Sequence, residues 1–267
     1  MKPVLLSRSL SLSLSLSLSL ALAACATESS KIDPADCDAP RSYRIDVVEF
    51  GRDNDEVRAV GTDLDDNQLV DNQLGQVFAT LINTFQEVPL DLDATAAVHL
   101  ASDTDWRIAI AECPGRGRLA SFASGVEQPT LGLEGALDDG LITVLGTGSS
   151  IPLTSLFDGT GTATPEFAAP LLASLELANP GETELTAKVG VALDSTETLL
   201  VVRGMTPFLN EHLEVGRNDM DSNDDNILTE AEVAASSLTK SLLAPDLDLD
   251  GASAISFGVR VHATRVR

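Results

Sequence analysis

From Ser42 onward, apolar and polar residues alternate along much of the chain. Tyr43, Ile45 and Val47 are separated by Arg44 and Asp46, and Trp106, Ile108 and Ile110 keep the same rhythm. Leu185, Ala187, Val189, Val191 and Leu193 alternate with Glu184, Thr186 and Lys188. Near the end, Phe257, Val259, Val261 and Ala263 alternate with Gly258, Arg260, His262 and Thr264. Period-two patterns of this kind suit strands with one buried and one wet face. Turn-forming pairs fall between them: Pro114-Gly115, Asp139-Gly140, Asp158-Gly159 and Pro180-Gly181. The economical expectation is an antiparallel β-sandwich over residues 42–204. One segment changes period. Val70, Leu74, Val77, Phe78, Leu81, Ile82 and Phe85 recur at spacings of three and four, which predicts a long helix over about 68–86. Two shorter helices are expected in a unit spanning 205–245, and residues 246–267 return to the sandwich as an acidic loop and a final strand. The fold class is therefore mainly β with α, an α+β chain, and no internal repeat is visible in it.

Charge narrows the function. With 41 acidic and 17 basic residues the net charge is −24, which opposes any nucleic-acid role, because tracking phosphates needs a basic stripe. Only 4% of residues are aromatic, so stacking platforms for bases or sugars are scarce, while 43% hydrophobic residues are enough for a core.

The N-terminus reads as an address and not as fold. Lys2 and Arg8 precede a Ser-Leu alternation from Ser9 to Leu20, of export-segment length and too short for a stable span. It ends in Leu22-Ala23-Ala24-Cys25, which resembles the lipobox of bacterial lipoproteins. The resemblance covers about 25 residues. It implies that residues 1–24 are a signal peptide, that Cys25 is acylated and becomes the first residue, and that two or more acyl chains hold the protein stably on a membrane. Ala26 stands where an Asp is associated with inner-membrane retention, so the outer membrane is the expected destination. Residues 25–41 are polar and Pro-containing and read as the tether. Cys37 and Cys113 then remain as an even pair in an oxidising compartment, and a Cys37–Cys113 disulfide is expected over two free buried thiols.

Candidate chemistry lies in three acidic stretches. Residues 221–232 (DSNDDNILTEAE) carry oxygen donors at positions 1, 3 and 5 (Asp221, Asn223, Asp225), a backbone carbonyl at 7 (Ile227), Thr229 at 9 and an acid at 12 (Glu232). Leu228 supplies the apolar eighth position that pairs with a neighbouring loop. This arrangement resembles the EF-hand over about residues 205–242, with calcium as the implied ion. Thr206-Pro207 is the expected start of the entering helix, and an exiting helix from Glu230 is expected to stop at Pro245. The departure is Asn226 where the family has Gly. The chain must turn there with positive φ, and Asn is the best-tolerated substitute, so a weakened site is expected.

Residues 246–251 begin the same grammar with Asp246, Asp248 and Asp250, but Ser253 and Phe257 occupy positions 8 and 12. An ion in a loop-to-strand version and an acidic turn built on Gly251 are both open readings. The third stretch, Asp63-Leu64-Asp65-Asp66-Asn67 with Asp71-Asn72-Gln73 downstream, resembles a pattern in uncharacterised myxobacterial lipoproteins, as does the closing run from Ser236. Asp65 and Asp71 are ion candidates there, with capping of the long helix preferred.

No catalytic constellation is evident. His99, His212 and His262 lie far apart, no Gly-x-Ser-x-Gly elbow occurs, and Gly146-Thr147-Gly148 and Gly159-Thr160-Gly161 lack the Lys of a phosphate loop. The expected function is a calcium-binding envelope lipoprotein acting as a structural or interaction module. A calcium-dependent docking or adhesion module is the alternative, and a surface hydrolase with a carboxylate pair stands behind both.

Overall fold

The computed structural model describes residues 34–84, 92–101, 106–113, 117–124, 133–136, 141–144, 151–152, 167–168, 171–180, 183–212 and 220–266. Cys25 and the export segment lie outside them, as do Phe85, Leu213 and the turn pairs at 114–115, 139–140 and 158–159. After a short 3₁₀ turn at Pro34–Asp36, the elements are β1 (Arg41–Glu49), α1 (Asn54–Val60), α2 (Gln73–Thr84), α3 (Leu92–Ala101), β2 (Trp106–Glu112), β3 (Gly117–Ser124), β4 (Leu133–Ala136) and β5 (Leu141–Val144). They continue with β6 (Ile151–Pro152), β7 (Phe167–Ala168), β8 (Leu172–Pro180), β9 (Glu184–Leu193), α4 (Ser195–His212), α5 (Glu230–Ala235), α6 (Ser237–Leu242), β10 (Leu247–Leu249) and β11 (Ala252–Arg265).

The chain is an α+β fold built on antiparallel pairing. Where alternation alone suggested two facing sheets, the long strands join one nine-stranded sheet in the order β4-β3-β2-β1-β11-β9-β8-β5, with β10 paired to β11. A separate two-stranded ribbon joins β6 and β7. The large sheet has to curl. Its two edge strands, β4 and β5, are separated by four residues in sequence, a reach of at most about 18 Å. The edges of a flat eight-stranded sheet would lie about 34 Å apart.

Alternation placed the core well on three strands. Ile108 and Ile110 on β2, the odd residues Leu185 to Leu193 on β9, and Ile255, Phe257, Val261 and Ala263 on β11 are all buried in one cluster. On β1 the pattern slips. A bulge between Ile45 and Val47 shifts the register against β11 by one residue, so Val48 is buried and Val47 is 44% exposed. Helix α2 lays Leu74, Val77 and Phe78 onto the same cluster, with Phe78 edge-on to Phe257 at 5.9 Å.

The long helix starts later than predicted, at Gln73. Asp66 and Gln68 hold positive φ (59° and 68°), which no helix allows, and Asn72 caps the first turn by accepting from the Gly75 N–H at 3.1 Å. Leu69 and Val70 therefore stay outside the helix and are exposed. The predicted helix start at Thr206-Pro207 is also corrected. Asp194 caps α4 by accepting from the Thr196 and Glu197 N–H groups, and Pro207 sits inside that helix. Thr206 donates instead to the Val202 carbonyl one turn back. The exiting helix is broken in two at Ser236, whose extended backbone (ψ 147°) ends α5 while its hydroxyl caps α6.

The expected disulfide is present: Cys37 and Cys113 are bonded, with Cα atoms 4.1 Å apart. It ties the segment before β1 to the end of β2, where the Asp38 N–H also donates to the Glu112 carbonyl.

Candidate metal centre

The loop at 221–232 is built from short side-chain-to-backbone bonds. Asp221 accepts from the Asp225 and Asn226 N–H groups (3.3 and 2.8 Å), Asn223 from Asp225 (2.9 Å), and Asp225 from Ile227 (2.8 Å). These bonds accompany positive φ at Asp224 (58°) and Asn226 (64°), and the carboxylates of Asp221, Asp225 and Glu232 are not drawn into one cluster. The conformation expected for Asn226 is the one it adopts. Leu228 is buried with Val202, Leu209 and Val233 in a small core between α4 and α5, and Arg203 bridges to Glu230 across the same pair.

Glu232 belongs to both loop and helix. It accepts from the Thr229 N–H and hydroxyl (3.0 and 2.8 Å), completing a capping box for α5, and from the Ser222 N–H and hydroxyl (3.1 and 2.9 Å). These bonds, the Thr229 amide first, hold its carboxyl below the ordinary Glu range. Its oxygens thus lie between the two ends of the loop, engaged with hydroxyls and amides.

Asp246, Asp248 and Asp250 are not brought together. Residues 247–254 form a tight hairpin whose two-residue turn is Asp250-Gly251, with φ of 52° and 90°. Asp246 spends both carboxylate oxygens on the Ser256 N–H and hydroxyl, and Asp248 accepts from the Gly251 N–H. The acidic-turn reading describes this geometry. Asp246 has a structural cause: β1 leaves β11 beyond the Glu49–Arg260 pair, and side chains complete the open edge. Asn72 bonds both backbone groups of Gly258, and Asp246 takes the Ser256 N–H.

The stretch read as a helix cap holds the tighter acidic cluster. Asp63, Asp65 and Asp71 can each place a carboxylate oxygen within 4.8 Å of the others, and they are the one such group among the described residues. Neither Asp65 nor Asp71 caps α2; Asn72 does. Instead Asp63 accepts from the Asn67 and Gln68 N–H groups (3.1 and 2.7 Å), Asp65 from Asn67 (3.2 Å), and Asn67 from Leu69 (2.7 Å). Counting Asp63 as position one, these bonds join the same positions as those in the 221 loop, 1 to 5 and 6, 3 to 5, 5 to 7. The positive-φ residues also fall at positions four and six in both. At position seven each loop has an exposed apolar side chain, Leu69 in one and Ile227 in the other.

Position nine is Asp71, whose buried carboxylate accepts from the Leu64 N–H at 2.7 Å, while its own N–H closes the loop onto the Thr62 carbonyl at 2.8 Å. Burial raises the Asp71 pKa, the Leu64 bond partly opposes that, and the charges of Asp65, Asp246 and Asp63 add to it. A cation would relieve this repulsion. The sequence signal was Asp-x-Asp-x-Asn with Asp at nine, obscured because Leu74 occupies position twelve and is wholly buried.

Among the described residues, Thr186, His262 and Glu49 lie in line on the wet face of the sheet with two contacts of 3.2 Å. Arg260 bonds Glu49 from the other side, and the four side chains form a ladder across β9, β11 and β1 on an open surface. The side chains of His99 and His212 lie outside the described residues.

Comparison with protein-family models, with curated proteins and with solved structures finds no match to this chain.

Proposed function

We propose that this chain is a calcium-binding lipoprotein of the cell envelope, exported by residues 1–24, held by an acylated Cys25 and serving as a non-catalytic structural or interaction module. The observation that carries the reading is the repeated loop. Two segments far apart in sequence, 63–69 and 221–227, adopt one hydrogen-bonded conformation with the same positions in positive φ. Nothing in helix or sheet formation requires that conformation twice. Both carry oxygen donors at positions 1, 3 and 5, the spacing of a calcium loop. Asp221, Asn223, Asp225, the Ile227 carbonyl, Thr229 and Glu232 are the proposed ligands of one ion. Asp63, Asp65, Asn67, the Leu69 carbonyl and Asp71 are those of a second. The lipobox and the polar tether support the address, and a millimolar-calcium exterior suits ions that rigidify a strongly acidic fold by binding only its folded form.

Calorimetric calcium titration of the full chain tests this. Two ions per chain are expected, with Kd on the order of 10⁻⁵ to 10⁻³ M. Asp63→Asn should remove one and Asp221→Asn the other. A wild-type chain that takes up no calcium overturns the proposal.

A further inference from the structure

The eighth position of a calcium loop ordinarily has its backbone N–H and C=O satisfied by a second loop beside it. Among the described residues, no second loop lies beside Leu228. Leu228 nonetheless has both backbone groups bonded and is 2% exposed. Its N–H donates to the Asn210 Oδ1 at 2.7 Å, and its carbonyl accepts from the Asn210 Nδ2 at 2.8 Å. One side-chain amide on the last turns of α4 therefore performs both bonds that a neighbouring strand would make. A planar carboxamide carries a donor and an acceptor side by side, as a peptide group does, so it can close an edge for a single residue.

The protein uses the same device elsewhere. Asn72 accepts from the Gly258 N–H at 2.8 Å and donates to the Gly258 carbonyl at 3.0 Å, where β11 has lost its neighbour β1. The 63–71 loop needs no such amide: its own backbone closes it, Asp71 onto Thr62, and its eighth residue, Val70, is exposed. Asn210 is thus fitted to the one loop whose eighth residue is driven into a core. Leaving the Leu228 amide and carbonyl buried and unpaired would oppose the burial that orders the loop.

We propose that Asn210 stands in for the missing partner loop, so that the 221–232 loop is preorganised as a single unit and needs no pairing with a second copy of the chain. This rests on the calcium reading of that loop. Asn210 touches no proposed ligand atom and acts through the Leu228 backbone, as a positioning residue.

The test compares the full wild-type chain with Asn210→Leu, which preserves bulk and removes both bonds, and uses Glu232→Gln to identify the ion belonging to this loop. Three quantities are read: calcium affinity, exchange of the Leu228 amide hydrogen by NMR without calcium, and mass in solution with calcium. The wild type should show a protected Leu228 amide and remain monomeric when loaded. Asn210→Leu should expose that amide to exchange and weaken the Glu232-dependent affinity about tenfold, leaving the other ion unchanged. Rapid exchange at Leu228 in the wild type, calcium-dependent dimerisation of the wild type, or equal affinity in the variant each overturns the proposal. Absence of any uptake by the wild type overturns the calcium reading and this proposal together, whereas uptake that Asn210→Leu leaves untouched overturns this proposal alone.

Discussion

The two acidic loops have nearly the same first half and opposite second halves. Beyond position seven, the 63 loop runs straight into the body of the fold. Asp71 bridges to Thr62, Asn72 clamps Gly258 and caps α2, and the Gln73 N–H donates to Ser256, which Asp246 holds in turn. The 221 loop ends in short helices with a small core of their own, joined to the rest through α4 and through Leu242 and Leu243, which pack on the main core. One loop is part of the sheet's edge; the other is carried by helices beside it. The local code of such a loop therefore lies in positions one to six. The residues beyond position seven decide whether the loop reports on the whole fold or only on itself.

Breaking the clamps should show this most strongly. Asn72→Ala removes bonds to Val57, Gly75 and Gly258 from a side chain that is 2% exposed. It should destabilise the whole protein by about 3–4 kcal/mol in urea unfolding. A smaller effect, about 1 kcal/mol, is expected from Thr229→Ala, which dismantles the capping box of α5. Hydrogen exchange should place that loss in the 220–243 region and leave the amides of β9 and β11 protected.

Titration separates the loops by sign. Asp71 has a raised pKa, so its contribution to stability is full below the ordinary carboxylate value and is lost as pH rises through the folded value. Glu232 has a lowered one, so its contribution is present above the ordinary value and is lost as pH falls through the folded value. In thermal unfolding without calcium, Asp71→Asn should therefore be spared the stability loss that the wild type shows as pH rises, and Glu232→Gln should blunt the loss in acid. The smallest effect belongs to the exposed seventh positions. Leu69→Ser and Ile227→Ser should each change stability by less than about 0.5 kcal/mol, and a larger loss would mean these side chains are covered in solution.

Strand alternation was legible because side chains on β2, β9 and β11 obey the pleat without interruption. It misled on β1 because one extra residue, Asp46, inverts everything after it, and no local pattern announces a bulge. The late start of α2 was hidden for a related reason: Leu69 and Val70 fit a helical stripe, and only the hydrogen bonds of Asp63 and Asp65 show why the chain cannot coil there. Thr206-Pro207 carried a good cap signature, yet Asp194 offered a better one upstream and the apolar run between them, including Val201 and Val202, had a core to fill. The disulfide was readable because arithmetic left two cysteines. The 63 loop was readable only in part, since an acid at position nine replaces the one sought at twelve.

The bond between Cys37 and Cys113 also determines how the fold meets a mechanical load. Strand β1 lies between β2 and β11, and a pull on the chain ahead of it would by itself peel β1 from its neighbours one bonded pair at a time. With the bridge in place, the pull reaches β1 and the end of β2 together, so two strands share the load. A one-strand attachment becomes a two-strand one.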